Sequence, residues 1–396
     1  MNRDKRNVLV LAICQMLFGS GRTLLIATAP LIAYGIAANK GLATLPTSLV
    51  IVGTALATIP VSLFMRRVGR RVGFIIGTLI GTAGGAVMGY AIVAQNFWLF
   101  ALGALFYGFF AGFAQLYRFA AADVAAADFK SKAISLVLAG GVVAAFVGPE
   151  LAKSGKDMFA SAEFFGAYLF LIGLILLSAV VLCCLDIPIL TQDERRGPTR
   201  PIAVIMAQPV FVAATLAAMC AQGVMSFMMT ATPIAMASMD HQFADTAFVI
   251  EWHVFGMFAP GFFTGSLIHR FGEVRIIGAG LLLQFLCVAA ALSGGGVFEF
   301  WLSMLLLGIG WNFAFTAATS LMTTAYTVAE RAKTQAATNF LIYGFVAVVS
   351  LSSGAVVHYL GWTWINLGAL PLLAVAAVAT LWYARNRQQY DTAQDS

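Results

Sequence analysis

Apolar runs of about 20 residues recur roughly twelve times along this 396-residue chain, near 8–34, 47–65, 72–94, 97–122, 133–151, 164–184, 209–234, 246–268, 275–293, 298–326, 336–357 and 363–384. A helix of that length crosses the hydrocarbon core of a bilayer. Inside lipid the backbone can bond only to itself, so runs of this kind dictate helices. The expectation is an all-α membrane protein of twelve transmembrane helices. Only 10% of the residues are charged, against about 25% in a soluble globular domain.

The basic residues follow the membrane rather than a nucleic-acid footprint. Of the 23, 18 fall on one face: Arg3, Lys5 and Arg6 before the first span, Arg66, Arg67, Arg70 and Arg71 after the second, and the rest in later loops of the same side and the C-terminus. The opposite loops hold only Lys40, Lys153 and Lys156. By the positive-inside rule both termini are cytoplasmic, and a bacterial-type inner (plasma) membrane is the expected location. The basic N-terminus followed by an apolar run reads as an uncleaved first span, because eleven more follow. The five cysteines, Cys14, Cys183, Cys184, Cys220 and Cys287, fall inside spans and form no disulfide framework.

Shifted by 203 residues, the chain aligns with itself. Pro30 meets Pro233, Gly53 meets Gly256, Gly69 meets Gly272, Phe97-Trp98-Leu99 meets Phe300-Trp301-Leu302, and Gly141 meets Gly344. The reading is therefore an N-terminal six-helix half over 1–185, a charged cytoplasmic linker over 186–208, a C-terminal six-helix half over 209–384 and a cytoplasmic tail over 385–396.

Positions that differ between the halves are candidates for the cargo. Met225-x-x-x-Met229 in span seven and His253-x-x-x-Met257 in span eight face Arg22, Ile26, Val50 and Thr54 in the other half. Each pair occupies one helical face, and thioether and imidazole suit copper, thioether especially Cu(I). At 1.5 Å per residue both pairs lie about 8–16 Å below the outer ends of their spans, the level at which transporters bind cargo. Methionines on an apolar helix are also ordinary packing filler, whereas a histidine within the membrane marks function. Met236, Met239 and His241 in the following loop, and Cys14, Cys220 and Met228 in spans, are further soft atoms.

Arg22 in span one and Arg118 in span four are cavity candidates, since each would cost about 2.5–3.5 kcal/mol at a lipid-facing helix centre. Glu251 and Asp123 are their compensating acids, Glu251 also a proton-carrier candidate. Two cationic side chains suit an organic anion. No H-E-x-x-H, nucleophile–base set or phosphate-binding glycine loop points to an enzyme.

The loop Arg66-Arg67-Val68-Gly69-Arg70-Arg71, echoed by His269-Arg270-Phe271-Gly272 in the second half, resembles the signature loop of the major facilitator superfamily. Ser62 and Arg66 stand where that family has glycine and aspartate, and Gly148-Pro149 is a partial match to its antiporter motif. The resemblance implies a gate built from Arg67, Gly69, Arg70, Arg71, Asp123, Arg270 and Gly272. With Met-x-x-x-Met and His-x-x-x-Met on spans seven and eight, and Ile250 to Pro260 around them, the chain is similar to the CcoA-like transporter family. That resemblance implies copper import by alternating access for cytochrome c oxidase assembly. Met225, Met229, His253 and Met257 would be copper ligands, copper ion or a copper complex the cargo rather than a cofactor, and a downstream copper chaperone a partner. A sister branch, the RfnT-like proteins, is associated with riboflavin, and the alternative expectation is uptake or efflux of such an organic solute.

Overall fold

In the computed structural model, residues 3–117, 120–121, 130–187, 200–327 and 329–394 are described. Arg118, Asp123 and linker residues 188–199 lie outside them. Among the described residues all regular structure is helical, as the exclusion of unpaired backbone from lipid demands. The first six spans are Arg3–Ile36, Leu45–Val68, Arg70–Val93, Phe97–Ala114, Lys130–Lys156 and Phe165–Leu182. The second six are Pro209–Ser238, a broken pair Phe243–Phe258 and Gly261–Phe271, Glu273–Leu292, Val297–Met322, Arg331–Tyr359 and Trp362–Gln394.

Two spans differ from expectation. Span eight, read as one helix, bends by 42° between its two segments. Pro260 sits at the break, where it supplies no N–H and its ring crowds the preceding turn. Span twelve stays helical to Gln394, through the stretch read as a tail. Its last turns contain no Gly or Pro, and Arg and Gln are good helix formers.

The duplication is visible in the backbone. Gly69 and Gly272 join spans two to three and eight to nine at φ +85° and +81°, ψ 160° and 155°, a region open to glycine alone. Each donates its N–H to the preceding helix, to Met65 O at 2.9 Å and Ile268 O at 2.8 Å. Pro30 and Pro233 lie inside spans one and seven. The repeat slips in one place: a Cβ on Gly53 would meet Leu105 O and one on Gly256 would meet Leu305 O, while Gly108 and Gly308 pack on the carbonyls of Val50 and His253. Spans four and ten are thus matched 200 residues apart at these contacts, nearly one turn off the 203-residue register.

Buried apolar side chains form two clusters, one built mostly from the first six spans and one mostly from the last six. Hydrogen bonds and ion pairs between the halves gather at the face opposite the termini. Ser48 Oγ donates to Ser350 Oγ at 3.1 Å and Thr44 Oγ1 to Leu351 O at 3.2 Å. Tyr359 Oη donates to Asn39 Oδ1 at 3.2 Å, and Tyr34 Oη lies 3.2 Å from His358 Nδ1. Lys153 and Glu251 meet across the same seam at 3.7 Å.

Candidate functional site

Span one carries a stripe of exposed positions within the bundle. Its partly exposed positions Ala12, Gln15 and Gly19 and the exposed Arg22 recur at helical spacing on one face, whereas every residue from Thr23 to Pro30 is buried. The stripe therefore climbs from the terminal face to mid-membrane and stops at Arg22, beneath the seal between the halves. The Tyr107 hydroxyl, buried and without a partner among the described residues, lies 3.3 Å from where a Cβ on Gly21 would stand. The stripe thus ends on the Arg22 cation.

Span seven answers differently. All its residues from Cys220 to Met236 are buried, Met225 at 2% and Met229 at 6% exposure. Met225, the 203-residue counterpart of Arg22, belongs to the apolar core of the second half, as do Met229 and Met257. Met228 turns to span nine, with its Sδ 3.9 Å from Cys287 Sγ.

His253 is fully buried against span ten. Its Nδ1–H donates to Met304 O at 2.8 Å, which leaves the Nε2 lone pair without a partner among the described residues. Asn312 Nδ2 donates to Met257 O at 2.7 Å, so span ten holds span eight through the His253 side chain and through the Met257 carbonyl. Spans seven and eight, neighbours in sequence, pack on span ten far more than on each other. No group of three or more His, Cys, Asp or Glu side chains suited to a metal occurs among the described residues. His241, one of the soft atoms in the loop after span seven, bonds through Nε2 to Gly295 O at 2.7 Å.

A contact not foreseen from sequence lies one turn toward the terminal face from Met225. Trp311 Nε1 of span ten donates to Gln222 Oε1 of span seven at 2.6 Å, and Trp311 stacks on Phe315, centroids 5.3 Å apart at 14°. Gln222 is 9% exposed, the two rings half-buried. The residues are 89 positions apart, and only an exposed-looking polar residue in an apolar span could have drawn attention to Gln222.

Of the residues expected at a gate, Arg67, Arg71 and Arg270 are exposed at the terminal face, Arg270 stacking over Phe271 with 5.2 Å between Cζ and the ring centroid. Arg200, at the end of the linker, clasps the second half there. Its Nη2 and Nε donate to the two oxygens of Glu330 at 2.8 and 2.9 Å, and Lys333 donates to the Arg200 carbonyl. Glu330 is 1% exposed, and the bidentate guanidinium together with the Thr327 N–H holds its carboxyl well below the usual carboxylate range.

A twelve-span duplicated bundle with hairpin glycines at 69 and 272 and a seam between the halves agrees with the family model for the Major Facilitator Superfamily, which matches residues 11–349 and again 218–395. The chain belongs to that superfamily. It is a multi-pass membrane transporter, not an enzyme. It is 41% identical over 376 residues, 94% of each chain, to the riboflavin transporter RfnT of Brucella anthropi. An uncharacterized MFS-type transporter of Bacillus subtilis, YddS, is 26% identical over 97% of this chain and 92% of its own. Among solved structures, the POT family transporter PepTSo superposes with a TM-score of 0.75 at 12% identity, each chain 98% covered. A bacterial homologue of the human lysosomal transporter Spinster gives 0.72 at 17%, each 97% covered. At such identities these two share the fold.

Proposed function

We propose that the protein carries a riboflavin-like organic solute across the bacterial plasma membrane by alternating access. The observation that carries this reading is the 41% identity to a riboflavin transporter over nearly the full length of both chains. The structure adds a passage with an arginine at its inner end, suited to polar or anionic groups on an organic cargo. Copper as cargo, and with it a copper chaperone as partner, finds no support in the comparisons, so the alternative expected from sequence takes the place of the main one.

On this reading the residue blocks 1–185 and 209–384 are the two moving halves, joined by the linker 186–208, and the termini are cytoplasmic because the basic residues gather on their face. The polar seam from Tyr34–His358 to Lys153–Glu251 closes the outer side. The loops holding Arg67, Gly69, Arg70 and Arg71, and Arg270 and Gly272, form the inner gate. Arg22 is a cargo-facing residue, Glu251 part of the outer seam. Met225, Met229, His253 and Met257 serve as the packed interior of the second half. The test is uptake of radiolabelled riboflavin by riboflavin-requiring bacterial cells with and without the chain. Growth on low riboflavin and saturable uptake are expected, and cells indistinguishable from the empty control would overturn the proposal.

A further inference from the structure

We propose that Trp311, Phe315 and Gln222 form the wall that stacks a flat heteroaromatic ring of the cargo and hydrogen-bonds its edge; this rests on the reading of the protein as a carrier of riboflavin-like solutes. Span ten meets span nine through Gly310 and Ala314 and span eight through Gly308 and Asn312, while the indole N–H of Trp311 reaches span seven. Trp311 therefore projects toward the interior between the halves, away from lipid. Gln222 is the 203-residue counterpart of Gly19, one of the partly exposed positions that line the passage below Arg22. Gly19 and Gln222 thus mark one level of the two halves, about one helical turn, or ~5 Å, from Arg22 on the terminal side, where the half-buried Trp311 and Phe315 carry the accessible surface of the second half.

The 2.6 Å hydrogen bond and the 14° stacking on Phe315 fix the indole plane, so a rigid flat surface is available at little entropic cost. The wall is uncharged. Gln222 commits its Oε1 to the indole, and its Nε2 has no partner among the described residues although the side chain is nine-tenths buried. A donor pair beside an aromatic plane matches a planar ring system that carries a carbonyl on its edge, as a flavin does. Recognition of the flat ring then belongs to the second half and recognition of polar or anionic groups to Arg22 of the first.

Purified full-length protein would be titrated with riboflavin, reading flavin fluorescence, with lumiflavin (the ring without the ribityl chain) and ribitol (the chain without the ring) as competitors. Lumiflavin is expected to compete and ribitol not to. Trp311→Leu should weaken riboflavin binding at least about tenfold, in the range found for loss of one aromatic stacking partner. Trp311→Phe, which keeps a ring, should lose less, and Gln222→Leu should lose affinity while retaining lumiflavin competition. Thermal unfolding checks that each variant folds, and the competitor experiment on the unaltered protein stands even if Trp311→Leu does not. Competition by ribitol but not lumiflavin, or unchanged affinity in a folded Trp311→Leu or Gln222→Leu protein, would overturn the wall. Absence of riboflavin binding and uptake by the unaltered protein would instead overturn the proposed function.

Discussion

Spans one and seven occupy matching places in the two halves, and both carry an internal proline at the same point of the repeat, Pro30 and Pro233. Yet span one exposes a charged residue, Arg22, in mid-membrane, while span seven buries Met225 at the matching position and everything around it. What the halves share, the hairpin glycines and the prolines inside spans one and seven, is needed by any backbone that must turn or bend at those points. What they do not share lies along the passage. On the proposed reading the duplicated scaffold is specialised on its interior face: a charge on one side, soft apolar and aromatic surface on the other. A ligand with a flat ring and polar groups could use both.

The strongest disruption should come from the shared part. At φ near +80° and ψ near 160°, a side chain at Gly69 or Gly272 is strained by about 1–3 kcal/mol. Gly69→Leu and Gly272→Leu should each cut riboflavin uptake roughly tenfold or more at matched membrane levels. A silent Gly272→Leu would show that the two hinges are not equivalent.

The unshared part predicts an asymmetry. Arg22→Met should lower uptake by about tenfold while leaving thermal stability near normal, since it removes a charge from the passage rather than from the core. Its counterpart Met225→Leu should change uptake less than about twofold. Equal effects at both positions would break the contrast between the halves. A drop in unfolding temperature for Arg22→Met, without a specific transport defect, would reassign Arg22 to structure.

The linker clasp makes a smaller prediction with a definite sign. Glu330 is held below its ordinary carboxylate range by Arg200, so the stability it contributes is present at neutral pH and is lost only as pH falls through the depressed folded value. Unfolding temperature should therefore show no Glu330-dependent loss between pH 7 and 5, and Glu330→Gln should lower it by a few degrees across that whole window. A difference between the two proteins that vanishes by pH 5 would contradict the clasp. Least of all should follow from Met229→Leu, a near volume-conserving swap expected to cost under ~1.5 kcal/mol and to leave riboflavin uptake within about twofold.

The fold was readable because lipid enforces it: an apolar run of about 20 residues has few structural options, and Gly69 and Gly272 announce the repeat by being the residue type that φ near +80° requires. The site was less readable. Spacing at i and i+4 puts Met225 with Met229 and His253 with Met257 on one face of a helix, but it does not say which face, nor that both spans pack on span ten. The partner of Gln222 is 89 residues away and emerges only when spans seven and ten are packed. The three-residue slip at Gly108 and Gly308 likewise hides behind a match that holds at Phe97-Trp98-Leu99 and again at Gly141.

Cargo can be measured without cells. Purified protein in liposomes preloaded with unlabelled riboflavin should accumulate external radiolabelled riboflavin by exchange, with lumiflavin inhibiting, while radioactive copper offered to parallel vesicles stays outside. Copper accumulation dependent on the protein, with no riboflavin exchange in the same preparation, would contradict the account.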